Sequence, residues 1–529
     1  MLTDWTTARY LLPEITLILF AVAVFLGGTW SRTRTVWATL AVVAFGFAGL
    51  LLRQVSPDAS FVWGGVTADP LGTGLRGCAL VFGALFCMFA TQSRQRKLFP
   101  ELLGSLVLVI VGLMFVSCAN DLVMLFLGLE LISIPTYVLL FIGRASRDSD
   151  EATAKYFFLS ILSSALMLFG FATLYGLAGD TQFNGIQATF AAGVDVPFSL
   201  LYPVAFGLIL VGLCFKIAAV PFHYYAPDVY EATTNLNAAL LAVVPKIAGV
   251  VGLVRVIAIC LPHDSAFGFQ LIIVLSMLTM TVGNVGALWQ SNLRRLMAYS
   301  SIAHAGYLMI GLAAAVGALP GVEAGRDAVA AMVFYVVAYS VATVGTFACI
   351  GYLSDDDLRF SRIEELRGVG RQHPMIAGLI AICMFSLAGI PPLAGFWGKF
   401  ALFRSALDVG LEGGVTNLWF IVLCVVGVLN AAVAAAYYLR VVSNLYFVPV
   451  DATDRITPVI GNAGAGLAAF LSGVIVIWVG LFAGDGLSKA QVGASSAWND
   501  LAPPEVNPSE SLPHVADEGF WAEELAIGR

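Results

Sequence analysis

From residue 11 to residue 484 the chain is one apolar run after another, broken by short polar turns. Each run is about 20 residues long, the length one helix needs to cross a bilayer. Fourteen spans are counted, beginning near 11, 36, 69, 101, 121, 153, 199, 237, 267, 297, 328, 374, 416 and 461. Composition agrees, with 59% hydrophobic and 12% charged residues over 529 positions, where soluble domains carry about a quarter charged. The expected fold is an all-α polytopic membrane protein.

The first run, Ile15 to Gly28, resembles a signal peptide in length. Its charge order is reversed, with Asp4 and Glu14 ahead of it or within it and Arg32 and Arg34 after it, so it reads as the first transmembrane helix. The eight cysteines are scattered singly through apolar segments, offering no Cys-x-x-Cys cluster for zinc or iron–sulfur. No Gly-x-Gly-x-x-Gly after a strand and no Walker loop is present, which removes the usual arguments for a bound dinucleotide or for ATP hydrolysis. If the chain serves an oxidoreductase, the electrons travel elsewhere.

Loops after odd-numbered spans carry most of the basic residues, including Arg32, Arg94, Lys97, Arg144, Arg294, Arg362, Arg371 and Arg455. The other side has little more than Arg9, Arg53, Arg326, Arg404 and Lys489. The positive-inside rule then puts both termini outside the cytoplasm, as an even number of spans requires.

Two spans are interrupted in a corresponding way. The seventh has Lys216 five residues before Pro221, and the twelfth has Gly389-Ile390-Pro391-Pro392 seven residues before Lys399. Proline removes a backbone donor and glycine loosens a helix, so each span breaks within the membrane and turns backbone toward a polar cavity. Breaks at matching places in two halves point to inverted repeats. The expected divisions are N-terminal helices 1–4 over 1–120, a first inverted repeat of helices 4–8 over 101–262, and a second of helices 9–13 over 263–446. A final span over 447–484 and a tail over 485–529 complete the chain. The tail has eight acidic side chains against Lys489 and Arg529, with Pro503, Pro504, Pro508 and Pro513. It is expected to be extended or disordered, with Phe520-Trp521 and Leu525 as a short docking helix or a merely solvated end.

Four charges lie inside the apolar runs: Lys216, Lys246, Lys399 and Glu130. Each costs roughly 2.5–3.5 kcal/mol at a helix centre, on the order of 10 kcal/mol together. Such residues persist where a water-filled path, a partner charge or a function keeps them. Lysine loses its proton on burial far more readily than arginine, and half of the six lysines sit in spans. The pattern is that of a proton path. The static alternative, each lysine neutralising a buried carboxylate, lacks partners, since only Glu130 is an obvious buried acid. Glu14 and Asp69, beside Pro13 and Pro70, read as helix starts, and Arg255 as a side chain snorkelling to the outer interface.

Around these charges lie further candidates. Lys246 follows Pro245, which strips a carbonyl of its helix partner and favours a polar pocket beside the ammonium. Ser300, His304 and Tyr307 share one helical face, and Tyr335, Tyr339, Thr343 and Thr346 form a similar stripe on span eleven. Such stripes either glue helices together or hold a water wire. His223, just past Pro221 and near Asp228 and Glu231, either loads protons at the cytoplasmic mouth or is a structural loop residue. Lys155 and Glu151 have the spacing of an interfacial ion pair, and Lys155 is also a candidate modulator of Glu130.

Several strings resemble the antiporter-like membrane subunits of respiratory complex I. They are Phe-Leu-Gly-Leu-Glu-Leu-Ile-Ser-Ile-Pro around Glu130, Phe-Lys-Ile-Ala-Ala-Val-Pro-Phe-His around Lys216, and Pro-Lys-Ile-Ala around Lys246. Further on come the stretch from Gly283 to Tyr307, with Tyr-Ser-Ser-Ile-Ala-His, and Leu-Ala-Gly-Ile-Pro-Pro-Leu-Ala-Gly-Phe-Trp-Gly-Lys-Phe ending at Phe400. They cover most of residues 121–410. Lysine at 399, the Tyr-Ser-Ser-Ile-Ala-His form and the absence of a long amphipathic C-terminal extension single out one of three related subunit types. Thr233-Thr234-Asn235-Leu236-Asn237 departs from the family's proline-containing turn, and Tyr224-Tyr225 stands where tryptophan is common. Both departures bear on the cytoplasmic mouth.

The resemblance implies a proton-translocating membrane-arm subunit of a bacterial inner-membrane NADH:quinone oxidoreductase, a hetero-oligomer with other membrane-arm subunits. It implies no cofactor in this chain, with NADH, FMN, iron–sulfur clusters and quinone in partner subunits, and no nucleic acid partner. Glu130 would pair with Lys216 in the first repeat, Lys246 would bridge through His304, and Lys399 would serve the second repeat. At about 7 Å such a pair would interact by roughly 2–3 kcal/mol at an effective dielectric of 20. Subunits of sodium/proton antiporters and membrane-bound hydrogenases share this scaffold and remain the alternative.

Overall fold

The structure is a computed structural model that describes residues 8–31, 33–55, 61–93, 97–144, 146–191, 201–260, 266–318, 323–354, 361–411, 417–449 and 461–501. The first helices are α1 (Leu12–Gly27), α2 (Arg34–Val55), α3 (Pro70–Ala90), α4 (Phe99–Ser117), α5 (Leu122–Gly143), α6 (Arg147–Ala178) and α7 (Phe183–Ala191). Then come α8 (Leu201–Ile217), α9 (Tyr225–Ala232), α10 (Asn235–Gly252), α11 (Ala266–Leu288), α12 (Leu293–Gly317) and α13 (Glu323–Leu353). The series closes with α14 (Val369–Gln372), α15 (Pro374–Ala388), α16 (Ala394–Gly410), α17 (Leu418–Tyr446), α18 (Ala463–Leu481) and α19 (Ala483–Leu501). The all-helical expectation needs one local amendment. A small antiparallel hairpin, β1 (Phe61–Trp63) with β2 (Val66–Ala68), joins α2 to α3.

Eleven helices among the described residues are long and apolar enough to cross a membrane, and α1, α8 and α15 are shorter apolar helices. The expected span starts lie within about two turns of observed helix starts. Side chains set many of those starts: Asp69 accepts from the Gly72 amide at 3.0 Å, Asp121 from Val123 at 2.7 Å and Asn292 from Arg294 at 3.0 Å. Each bond satisfies an amide that the first helical turn leaves unpaired.

α8 and α15 are short because both stop at the expected breaks. α8 ends before Ala218, which has φ +58°, and the cis Val220-Pro221 bond; α15 ends at Gly389, with φ +89°, before the cis Pro391-Pro392 bond. Glycine is needed at 389 because that backbone conformation is left-handed and a Cβ there would stand 3.1 Å from Lys399 Cδ. The chain resumes as α9 and as α16, and at the second break the Leu387 and Ala388 carbonyls are left open to a side chain.

α10, α12 and α13 are buried along almost their whole length, while α2, α6 and α17 turn large apolar side chains such as Val43, Phe158 and Val425 outward. The polar residues on the three central helices are therefore shielded from lipid by other helices. α10 continues as a π-helical segment, Leu253–Cys260.

One expectation fails at the C-terminus. The tail does not become extended at Asp485: residues 483–501 form α19, which packs against α13 and α3. Ala483, Gly493, Ala494 and Ala497 are buried on one face, and Gln491 Nε2 donates to Asp327 Oδ1 at 2.9 Å. The face is made of small residues, so it adds little hydrophobicity while allowing close approach. Phe520, Trp521 and Leu525 lie outside the described residues.

Candidate functional site: a buried row of charges and hydroxyls

In the first half, α5 carries Glu130 and the end of α8 brings Lys216 against it. Lys216 Nζ lies 3.8 Å from Glu130 Oε1, with the lysine side chain almost fully buried. Ser164 on α6 donates to Glu130 Oε1 at 2.6 Å, and Lys216 donates to Ser133 Oγ at 2.7 Å. The pair is closer than the 7 Å taken above. At this contact the attraction is roughly 4 kcal/mol at an effective dielectric of 20.

Lys246 and Lys399 have no carboxylate within ion-pair distance among the described residues, so the static alternative does not extend to them. Lys246, on α10, donates to the Ser301 carbonyl and at 2.6 Å to Ser301 Oγ of α12, with its ammonium 4.6 Å from the centre of the Tyr339 ring. Lys399, on α16, donates to the carbonyls of Leu387 at 2.9 Å and Ala388 at 3.1 Å. These are terminal carbonyls of α15 left open by the break at Gly389, where a cation also meets the negative end of the helix dipole. Its ammonium lies 4.9 Å from the Tyr307 ring centre. Breaking the helix thus makes the polar seat for the charge.

His304 lies between these lysines. Its Nδ1 is 2.5 Å from Tyr335 Oη and its Nε2 3.0 Å from Tyr438 Oη. Its ring is 4.6 Å from that of Tyr339 and 6.0 Å from that of Tyr307, the same two rings that face Lys246 and Lys399. Tyr339 and Tyr307 are therefore the shared neighbours that join the three groups. Among the described residues the hydroxyls of Tyr307, Tyr339 and Thr343 are buried without a hydrogen-bond partner, whereas Thr346 bonds the Ala342 carbonyl of its own helix. Interhelical glue accounts for only part of the stripe.

Lys155 belongs to a cluster of charges on α6, α9 and α12. Lys155 pairs with Glu151 at 2.8 Å, as its spacing predicts, and also with Asp228 at 3.3 Å. Arg295 joins Asp228 at 3.2 Å to Glu231 at 2.9 Å. Lys155, Glu151, Asp228 and Glu231, together with Arg144, Asp148 and Arg294, line an open polar cavity of about 540 Å³. Lys155 makes no contact with Glu130. His223 makes no hydrogen bond to Asp228 or Glu231, and its Nδ1 is buried without a partner among the described residues. The departure at 233–237 has a visible use: Thr234 accepts from the Asn237 amide at 3.2 Å, and Asn237 Nδ2 donates to the Leu139 carbonyl at 2.7 Å, tying the start of α10 to α5.

Two buried ion pairs correct the reading of Glu14, Asp69 and Arg255. Glu14 is in the first turn of α1, but its carboxylate is buried and bound bidentately by Arg76 at 2.7 Å on each oxygen. Asp69 does cap α3, yet it also accepts from Arg255 at 3.0 and 3.1 Å. Arg255 therefore does not snorkel; it is 1% exposed and also donates to the Ser117 carbonyl at 2.7 Å. Glu14 and Asp69 are thus buried more deeply than Glu130, whose side chain is 21% exposed. The signal for Arg76 was its place within an apolar run, the same signal that marks the lysines.

A long-helix bundle with two broken helices and a buried lysine–histidine–tyrosine row defines a polytopic membrane protein that carries polar groups inside its bundle. The family described as NADH:quinone oxidoreductase/Mrp antiporter, TM matches residues 119–429, and the chain belongs to that family. Within it, the chain is similar to NADH-quinone oxidoreductase subunit N of Rhodospirillum rubrum, 35% identical over 485 residues, 88% of this chain and 94% of the relative. A chain of respiratory complex I from Thermus thermophilus with bound aureothin has a TM-score of 0.74 and 29% identity, covering 91% of this chain and 100% of that one. A chain of the Mrp complex from Dietzia sp. DQ12-45-1b reaches a TM-score of 0.77 at 21% identity, covering 94% and 98%, a likeness of fold.

Proposed function

We propose that this chain is a proton-translocating membrane-arm subunit of a bacterial inner-membrane NADH:quinone oxidoreductase, assembled with other membrane-arm subunits. Electron transfer then belongs to partner subunits carrying FMN, iron–sulfur clusters, and the NADH and quinone sites. The observation that carries the reading is the Glu130–Lys216 contact at 3.8 Å in a chain whose relatives at this identity are subunits N. Residues 101–262 and 263–446 serve as the two inverted repeats, each with one broken helix, and both termini lie outside the cytoplasm.

In this mechanism a proton on Lys216 is held by Glu130. Weakening that contact by a movement or charge change in the neighbouring subunit lowers the lysine's affinity and passes its proton toward Lys246, His304 and Lys399. Releasing a pair worth roughly 4 kcal/mol is comparable with the cost of moving one charge against the membrane potential, about 2.3 kcal/mol per 100 mV. The polar cavity around Asp228 and Glu231 supplies protons from the cytoplasm, with Lys155 and His223 modulating that supply.

A second reading, a subunit of a multisubunit sodium/proton antiporter or of a membrane-bound hydrogenase, is favoured by the fold likeness to the Mrp chain. Purification of the tagged chain from its native membrane and reconstitution in vesicles separates the two. The expected result is co-purification with NADH-oxidising subunits and proton transport that needs NADH. Proton transport driven by a sodium gradient without NADH would overturn the proposal.

A further inference from the structure

His304 is held at both edges by hydroxyls from two other helices, Tyr335 of α13 and Tyr438 of α17, and Tyr438 Oη is also 2.5 Å from Ser300 Oγ. All four side chains are buried. They form one unbroken row: Ser300, Tyr438, His304, Tyr335. We propose that Tyr438 is the positioning residue for His304, holding Nε2 and setting the tautomer in which the ring passes on its proton. The inference rests on the reading of His304 as the central relay.

The number of protons in the row limits how it can be bonded. A neutral imidazole has one N–H and one bare nitrogen, and each hydroxyl has one proton to donate. The row therefore has two complete arrangements. In the first, Tyr335 donates to Nδ1, Nε2–H donates to Tyr438, and Tyr438 donates to Ser300. In the second, every bond is reversed: Ser300 donates to Tyr438, Tyr438 donates to Nε2, and Nδ1–H donates to Tyr335. Mixed arrangements leave two protons or two lone pairs facing each other in a buried site, where an unmade hydrogen bond is costly.

Conversion of the first arrangement into the second balances as the passage of one proton. A proton arrives at Tyr335 Oη, and the one already there moves to Nδ1. The Nε2 proton moves to Tyr438, the Tyr438 proton moves to Ser300, and the Ser300 proton passes to a water molecule, just as a water molecule supplies the one that arrives at Tyr335. No member of the row keeps a net charge, so transfer avoids an isolated imidazolium in an apolar setting. Tyr438 is the link that makes this possible, because Nε2 has no other hydrogen-bond partner among the described residues. Its hydroxyl ties the histidine of α12 to α17, a helix whose other face carries Val425 and Leu429 outward, so movement at that face is transmitted to the tautomer.

The test is NADH-driven proton transport by the whole complex in proteoliposomes, with ¹⁵N spectra of labelled histidine assigned by difference against His304→Gln. Tyr438→Phe is expected to lower proton transport about a hundredfold, the lower end of the range for loss of a positioned proton donor. Ser300→Ala is expected to lower it too, and the double variant to be no slower than Tyr438→Phe alone, as for two members of one row. The Tyr438→Phe spectrum is expected to show a changed His304 tautomer. Ser340→Ala, which removes a buried hydroxyl bonded to the Val336 carbonyl of its own helix, controls for loss of a hydroxyl and is expected to stay within about twofold, the size of an ordinary hydrogen-bond loss away from the row. Full transport in assembled Tyr438→Phe, an unchanged tautomer, or losses that multiply in the double variant would overturn the role of Tyr438. Should Lys216→Ala also transport fully, the translocation reading itself falls; should it fail to transport, only the Tyr438 inference does.

Discussion

At the residue scale, the structure separates buried charges held in carboxylate–guanidinium pairs from the lysines of the row. Glu14 and Arg76, and Asp69 and Arg255, are carboxylate–guanidinium pairs; arginine keeps its proton under all ordinary conditions, so these pairs clamp α1 to α3 and α3 to the end of α10. Glu14→Ala is expected to strand a buried guanidinium and destabilise the subunit by roughly 3–5 kcal/mol, whereas Glu14→Leu combined with Arg76→Met costs far less because no charge is left unpaired. Thermal unfolding of the purified complex checks this; equal losses in the two would contradict it. Lysines 216, 246 and 399 were legible as buried charges because each interrupts an apolar run. The clamps were not, because Glu14 and Arg76 are 62 residues apart and a helix-start position explains an acid equally well. Tyr438 was hidden for a related reason: a tyrosine in an apolar helix is ordinary until a histidine on another helix is brought to its hydroxyl.

At the element scale, the broken helices matter most. Pro221 and Gly389 to Pro392 marked the breaks in the sequence, since no other residue types disrupt a helix so strongly. The seat of Lys399 on the open carbonyls of α15 needed three-dimensional information. Gly389→Ala is expected to cost roughly 1–2 kcal/mol for a left-handed alanine and to press on Lys399, whose Cδ would be 3.1 Å from the new Cβ. Proton transport should fall more than complex stability does. A variant with normal transport but reduced stability would show that the break is only structural. α19 was the element misread, because its packing face of Ala483, Ala494 and Ala497 lies in an acidic, proline-bearing stretch whose average composition points to disorder.

At the scale of the whole molecule, the apolar runs specified the helical bundle, and the family relation agrees with the strings around Glu130, Lys216 and Lys399. The direction of the molecule in the membrane rests on the arginine asymmetry between loops. A periplasmic reporter enzyme fused after Arg529 is expected to be active and a cytoplasmic one inactive; the opposite pattern would reverse the orientation and put the cavity around Asp228 on the outer side.

In the proposed mechanism the Glu130–Lys216 pair drives translocation in the first half. Its most direct measurement is the number of protons moved per NADH oxidised by assembled complex carrying Lys216→Ala. The account predicts a lower ratio and slower coupled quinone reduction with assembly intact, because the remaining row has lost its first titrating group. A ratio equal to that of the unsubstituted complex would contradict it.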